Sequence, residues 1–173
     1  MSLEFTFIDN SDAVIAELQR KRPIALEAVG SMAESYTKGN ITAAGRVSPG
    51  GGSYRQSITH TVKDDEVYIG SNLNYALYNE LGTGSYASNE KGRKGWWVYV
   101  AGQDAETAAA HRNPESASKV YTKAQAYAIM MSLRAKGLDA RMTNGIKPIH
   151  ALQKAVSDHQ SNYAAQIEDI LKI

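Results

Sequence analysis

The chain has 173 residues, of which 43% are hydrophobic, with 19 Lys and Arg against 18 Asp and Glu and no cysteine. This length suits one domain with a sizeable core, and the near-neutral charge argues against a nucleic-acid binder that uses its whole surface. The absence of cysteine excludes disulfides, thiolate catalysis and cysteine-based zinc sites. No apolar run approaches the roughly 20 residues of a membrane span and no secretory signal is visible, so we expect no membrane partner.

The first part of the chain predicts one strand followed by two helices. Hydrophobic residues alternate with polar ones over residues 3–7, which is the period of a strand. Ser11 is suited to cap a first helix that runs to about Arg20. Pro23 fits the first turn of a second helix. The apolar residues of that second helix recur at steps of three or four and are Ala25, Val29, Met32 and Tyr36.

A long loop and a β-hairpin are predicted next. Residues 41–53 contain four glycines and a proline, which indicates a flexible arm. Apolar and polar residues then alternate on both sides of Asp64 and Asp65, as expected for a hairpin. His60 falls on the apolar side of the first strand and has no second ligand at a metal spacing. We therefore interpret His60 as a structural histidine or one at a sheet edge.

Residues 70–84 combine a short aromatic helix with a glycine stop. Tyr75, Tyr78 and Leu81 are three residues apart, so they share one face of a helical turn. Gly82 and Gly84 supply positive φ angles where such a turn ends. We interpret the stretch as a capped turn that its tyrosines anchor against a sheet.

Basic residues lie beside aromatic ones in residues 91–99. Trp96 and Trp97 begin a predicted strand and point to opposite sides of it, and Arg93 and Lys94 precede them. Cations next to aromatic rings are the ingredients of a nucleic-acid stacking platform and equally of an ordinary amphipathic strand after a solvated loop. Nucleic-acid contact through these four residues is therefore kept as an alternative function.

The last third of the chain predicts two helices. Thr122 and Gln125 have the spacing of a capping box, and Gly137 is placed to end the helix that they start. That helix carries Tyr127, Ala128, Met131 and Ala135 on one face, and we expect its methionines to fill the core. Residues 138–142 predict a short strand. Pro148 opens a last helix, which we expect to be continuous to Ile170.

These elements predict an α+β fold in a single domain of residues 1–173. A small, mostly antiparallel sheet is expected to pack against N-terminal helices and a long C-terminal helix, with an inserted strand-loop-helix segment at about 85–143. The sequence contains no known catalytic, metal or dinucleotide motif, so we expect no catalytic residue, metal or cofactor. A hydrolase that pairs His60 with Glu80 is a further hypothesis, which a shared pocket would favour.

Four pieces of the sequence, in this order, carry a family resemblance. They are Gly52 to Ile58 with Ser57 before the strand, Val67 to Ser71 with its glycine turn, Tyr75-Ala76-x-x-x-Glu80-x-Gly82-Thr83, and Pro148-Ile-His-Ala-Leu152-Gln-Lys-Ala155. Together they resemble a family of siphophage minor tail-component proteins, which includes tail-completion and tail-to-head joining proteins. The chain departs from this family in its long segment at 85–143 and in Ala151, where the family has an aromatic residue.

The resemblance implies a non-enzymatic virion or prophage protein that is assembled in the host cytoplasm. Such a protein would form a ring, hexameric in the family, at the head-proximal end of a tail. Its partners would be copies of itself, the tail tube and the neck or connector proteins, with no specific nucleic acid. We expect Glu80 to make a structural hydrogen bond or a contact between subunits, and Gly82 to end the turn.

Overall fold

The computed structural model describes residues 9–45, 52–89, 92–102 and 119–172. The chain divides into two compact units, the first formed by residues 1–74 and 151–173 and the second by residues 75–150. The predicted α+β class is confirmed, with two separate antiparallel sheets of two strands each within the described ranges. The second unit includes the predicted insert at about 85–143 and begins before it and ends after it. The strand predicted at residues 3–7 lies outside the described residues.

Helices precede, separate and follow the two pairs of strands along the chain. In chain order they are α1 (Ser11–Ala43), α2 (Ser53–Gln56), β1 (Ile58–Lys63), β2 (Glu66–Ser71), α3 (Ala76–Leu81), a 3₁₀ turn (Gly84–Tyr86), β3 (Trp97–Val100), α4 (Lys123–Ala135), β4 (Ala140–Thr143), α5 (Ala151–Ser157) and α6 (Gln160–Leu171).

The first unit is organised around α1, which is one helix and not the two predicted. It runs through Pro23 and ends at Ala43, so the loop expected from Ile41 begins later. A proline inside a helix removes one hydrogen bond and costs about 3 kcal/mol. Helix α1 packs on α5, α6, β1 and β2, and burial along this length offsets the local cost. Ser11 is not the cap as predicted, because it is the first residue of the helix and Asn10 occupies the cap position.

Helix α1 approaches the hairpin of β1 and β2 closely at Gly30, where any side chain would collide with the His60 ring. The predicted hairpin is confirmed, with Ile58 opposite Ser71 and positive φ angles at Asp64 and Asp65 in its two-residue turn. Ile58 is fully buried. Four apolar residues were predicted to line one face of this part of α1. Ala25 is buried, whereas Val29, Met32 and Tyr36 are half-buried. The buried residues of α1 are Ala25, Gly30, Ala33, Thr37 and Ile41.

The C-terminal helix is broken into α5 and α6, which corrects the prediction of a continuous helix. Tyr36 of α1 stacks on His159 in the break, with ring centroids 3.5 Å apart and planes 5° from parallel. The Tyr163 hydroxyl donates to the carbonyl of Ala155 at 2.7 Å, which satisfies one of the carbonyls that the end of α5 leaves free. Stacking and this hydrogen bond together stabilise the break.

The second unit contains the sheet of β3 and β4 with α4 packed on it. Trp97 lies opposite Thr143 and Val100 opposite Ala140, which confirms the predicted strands in outline. The capping box of Thr122 and Gln125 is also confirmed. The face of α4 was predicted wrongly, because Ala126 and Met130 are buried whereas the side chains of the predicted stripe are exposed.

Candidate functional site

The signature turn and the segment before α5 are hydrogen-bonded together within the second unit. Thr83 N–H donates to the carbonyl of Ile146 at 2.9 Å, and Ile146 N–H donates to Thr83 Oγ1 at 3.0 Å. Ser85 N–H donates to the carbonyl of Asn144 at 2.8 Å. We call residues 75–86 and 144–150 together the signature module. It joins two pieces of the family resemblance that lie far apart in the sequence.

A second set of backbone hydrogen bonds in the signature module joins the end of α3 to the residues just before α5. Ile149 N–H donates to the carbonyl of Asn79 at 3.0 Å, and His150 N–H donates to the carbonyl of Glu80 at 3.3 Å. These carbonyls lie in the last turn of α3, where a helix leaves its acceptors without partners of its own. The pairing explains why Pro148 does not open a helix as predicted and why α5 begins at Ala151.

Gly82 is the point where the signature module demands glycine. Its φ of 74° and ψ of 174° place it in a region that glycine alone adopts easily. A side chain there would also meet the carbonyl oxygens of Tyr86 at 2.7 Å and Ile146 at 2.8 Å, and Pro148 Cδ at 2.8 Å. The sequence therefore predicted the helix stop correctly, and the structure adds that the space beside Gly82 is closed.

The tyrosines of α3 do not pack as expected. Tyr75 is 43% exposed and Tyr78 is 55% exposed, so the interpretation of these side chains as anchors against a sheet is wrong. Their neighbour Leu77 is 59% exposed. Glu80, by contrast, is buried, with 9% of its surface exposed. The motif residues of α3 thus divide into a buried carboxylic acid and an exposed aromatic face.

The remaining motif residues belong to the first unit. Ser57 Oγ lies 2.6 Å from Ser71 Oγ and donates to the carbonyl of Tyr54 at 2.8 Å, so it ties the start of β1 to the end of β2. In α5, Ala155 is fully buried and Leu152 is half-buried. The structure therefore groups Tyr75, Ala76, Glu80, Gly82, Thr83 and Pro148 in the second unit, and Ser57, Leu152 and Ala155 in the first.

Both tryptophans of the alternative site lie under a basic side chain. The Arg93 guanidinium lies 5.1 Å from the centre of the Trp97 ring, and its Nη2 donates to the carbonyl of Lys119. The Trp96 ring carries the Lys123 ammonium at 5.7 Å. Both tryptophans are half-buried and Lys94 is exposed. One cation therefore already lies over each of the two indole rings on which a base would stack.

His60 lies in a carboxylate cluster of the first unit that sequence reasoning missed. Its Nδ1 is 2.7 Å from Glu34 Oε2 and its Nε2 is 3.1 Å from Glu27 Oε1. The hydrogen bond with Glu34 raises the pKa of His60 against the opposing effect of burial, and Glu27 adds to the rise. This confirms His60 as a histidine with structural partners. The seven-residue spacing of Glu27 and Glu34, which puts both on one side of α1, is the signal that could have shown the pair.

The positions of His60 and Glu80 do not support the hydrolase hypothesis, which requires both side chains in one pocket. His60 belongs to the first unit and contacts Glu27 and Glu34, whereas Glu80 belongs to the second unit. Within the described ranges, no three or more His, Asp or Glu side chains are grouped as a metal site would require. In the same part of the chain, no helix has the length and apolar character needed to span a membrane.

Comparison of the chain with protein-family models, with curated proteins and with solved structures finds no match. The assignment of a function therefore depends on the quoted motifs and on the geometry described above.

Proposed function

We propose that this chain is a structural, non-enzymatic tail subunit of a bacteriophage or prophage. In this proposal it forms a ring, hexameric by the family resemblance, that completes the tail and joins it to the head. Its partners are copies of itself, the tail tube and the neck or connector proteins, and it acts in the virion neck after assembly in the host cytoplasm.

One observation carries the proposal. The signature at residues 75–83 and the motif that begins at Pro148 resemble the same family separately, and they share the backbone hydrogen bonds of the signature module. Two motif pieces that occurred by chance would have no reason to pair. The hydrogen bonds of Ile149 with Asn79 and of His150 with Glu80 join the two pieces directly and therefore support a common origin of both.

The exposed face of α3 supports a contact between subunits. Tyr75 belongs to the signature, yet its side chain and those of Leu77 and Tyr78 are about half exposed. Packing within the chain does not explain an aromatic residue in such a position, whereas a contact with another chain does, since tyrosine is enriched in protein interfaces. We assign these three exposed side chains at the start of α3, Tyr75, Leu77 and Tyr78, to the ring interface.

Sedimentation velocity and negative-stain microscopy of the full chain, alone and with tail-tube and neck proteins from the same gene cluster, test the proposal. We expect closed rings that sit on tube ends. Leu77→Asp should abolish the rings because it places a charge in the interface, while Tyr68→Asp, at a site 54% exposed on β2, should leave them intact. A chain that stays monomeric with every partner and never joins a tube would overturn the proposal.

The alternative of nucleic-acid contact has a direct test of its own. Labelled single-stranded and duplex oligonucleotides are titrated with the chain at low salt, where phosphate contacts are strongest. Binding that is lost in Arg93→Ala and Trp97→Ala would favour it over the ring subunit. Absence of binding under these conditions removes it.

A further inference from the structure

Helix α4 carries apolar side chains on two opposite sides. The inner side contains Ala126 and Met130, which are buried on the sheet of β3 and β4. The outer side repeats apolar residues at steps of three and four, and we call it the α4 outer stripe: Ala124, Tyr127, Ala128, Met131 and Ala135. Tyr127 is 54% exposed and Met131 is 46% exposed. Among the residues that the structure describes, the packing of the second unit leaves this stripe exposed.

The outer stripe is bordered by positive charge. Residues 119–138 contain four basic residues and no acidic one. With 3.6 residues per turn, Lys123 and Arg134 fall on one border of the stripe, whereas Ser132 and Gln125 fall on the other. The next acidic residue, Asp139, pairs with Arg141 at 2.8 Å. An apolar surface with one positive border selects for a partner that carries negative charge beside its own apolar face.

We propose that the α4 outer stripe is the docking surface for an acidic amphipathic helix of a partner protein. The partner's apolar face would cover Tyr127 and Met131, and its carboxylates would meet Lys123 and Arg134 on the positive border. The three alanines of the stripe allow two helix axes to approach closely, since the side chains at the contact set that distance. This inference goes beyond the ring assignment and does not depend on it.

Two other occupants fit the same surface less well. A second copy of α4 packed antiparallel would bring Lys123 near Arg134 of its partner, and like charges at an interface are unfavourable. An anionic membrane would satisfy the positive border. However, helices that lie in membranes use large residues such as Trp, Phe and Leu, whereas three of the five residues of this stripe are alanine.

The test uses the full chain and two fluorescein-labelled helical peptides of equal length. Both peptides carry a leucine and alanine stripe, one bordered by glutamates and the other by lysines. Fluorescence anisotropy should show that the acidic peptide binds at least about tenfold tighter at low salt, and that added salt narrows the difference. Met131→Glu and Lys123→Glu should each weaken binding of the acidic peptide by about tenfold. Tyr99→Glu, at a site 45% exposed on β3, is the matched control and should bind normally.

Circular dichroism melts check that the three variants remain folded. The inference is overturned if the acidic peptide does not bind at millimolar concentration, binds no tighter than the basic one, or binds Met131→Glu unchanged. Self-association that Met131→Glu abolishes would assign the stripe to a second copy. Binding to phosphatidylglycerol vesicles that the same variant abolishes would assign it to a membrane, and either result would also overturn the proposal. Rings formed by a Met131→Glu variant would leave the ring assignment standing on its own.

Discussion

Each of the two units of this chain is stabilised internally by a different kind of interaction. In the first unit, side chains of α1 pack against the hairpin and the last two helices, with Ile41 and Ile58 fully buried. In the second unit, the signature module is joined by backbone hydrogen bonds around Gly82. Side-chain packing accommodates substitutions of similar volume, whereas a backbone pairing beside a closed glycine does not. We therefore expect the two units to respond differently to mutation.

Gly82→Val should have the largest effect and should disrupt the second unit. Valine cannot easily adopt the φ of 74°, and its Cβ would collide with the carbonyls of Tyr86 and Ile146. We expect a loss of about 4 kcal/mol in the free energy of unfolding, measured by urea denaturation, with hydrogen exchange locating the loss in residues 75–150. Gly137→Val is the matched control, because Gly137 also has a positive φ of 80° but has open space around it. Normal stability with lost ring assembly would contradict the prediction.

Ile58→Ala should disrupt the first unit instead. Ile58 is fully buried at the start of β1, so the shorter side chain leaves a cavity and should cost about 3 kcal/mol. Ile15→Ala, at a site 51% exposed on α1, should change the free energy of unfolding by less than about 0.5 kcal/mol. Hydrogen exchange that increased equally in both units after Ile58→Ala would show that the units do not respond separately.

His60 should make the stability of the first unit depend on pH. Its pKa is raised in the folded protein by Glu34 and Glu27, so its stabilising contribution is present below the unfolded value of about 6.5. That contribution is lost as pH rises above 6.5 through the raised folded value, and we expect it to amount to about 2 kcal/mol.

The pH dependence can be checked with two histidine variants. Urea denaturation between pH 5 and 9 should show that the free energy of unfolding falls above pH 6.5 in the natural chain and in His159→Gln. The same fall should be absent in His60→Gln. At lower pH the sign reverses, because Lys38 and then His60 lower the pKa of Glu34, whose contribution is lost as pH falls below about 4.5. A His60→Gln profile with the same loss above neutral pH would assign the dependence to another group.

Thr122→Ala should give the smallest effect and should be confined to α4. The Thr122 hydroxyl accepts a hydrogen bond from Gln125 N–H at 3.3 Å, and loss of this cap should cost about 1 kcal/mol. Ser132→Ala, at an exposed site inside the same helix, should cost almost nothing. Hydrogen exchange of the backbone amides in the first turn of α4 measures the effect of both substitutions. Equal protection of these amides in Thr122→Ala and Ser132→Ala would argue against the cap.

Local patterns predicted the elements of this fold better than they predicted its contacts. The hairpin, the capping box and the glycine stop at Gly82 follow from turn chemistry and alternation, which act over a few residues. The continuity of α1 through Pro23 could not be read locally, because its stability comes from packing on elements that are distant in sequence.

Periodicity also did not decide which side of a helix is buried. Helix α4 has one apolar side at Ala126 and Met130 and another at Tyr127 and Met131, and the sequence analysis selected the second. The pairing within the signature module could not be predicted from the sequence either. A backbone hydrogen bond, such as the one between Thr83 and Ile146, does not require a particular side chain at either position. The residues of the candidate site were found through the family resemblance, but their mutual geometry was not.

The pairing of Asn79 and Glu80 with Ile149 and His150 also has an entropic consequence for folding. The chain leaves the first unit after residue 74 and returns at residue 151, so these hydrogen bonds bring the two ends of the second unit together. Once the second unit has folded, the loop that must close between β2 and α5 is shortened from the whole of residues 75–150 to a few residues. Such a shortening lowers the entropic cost of closure by about 2 kcal/mol, which favours a folding order in which the second unit forms before α5 and α6 dock on α1.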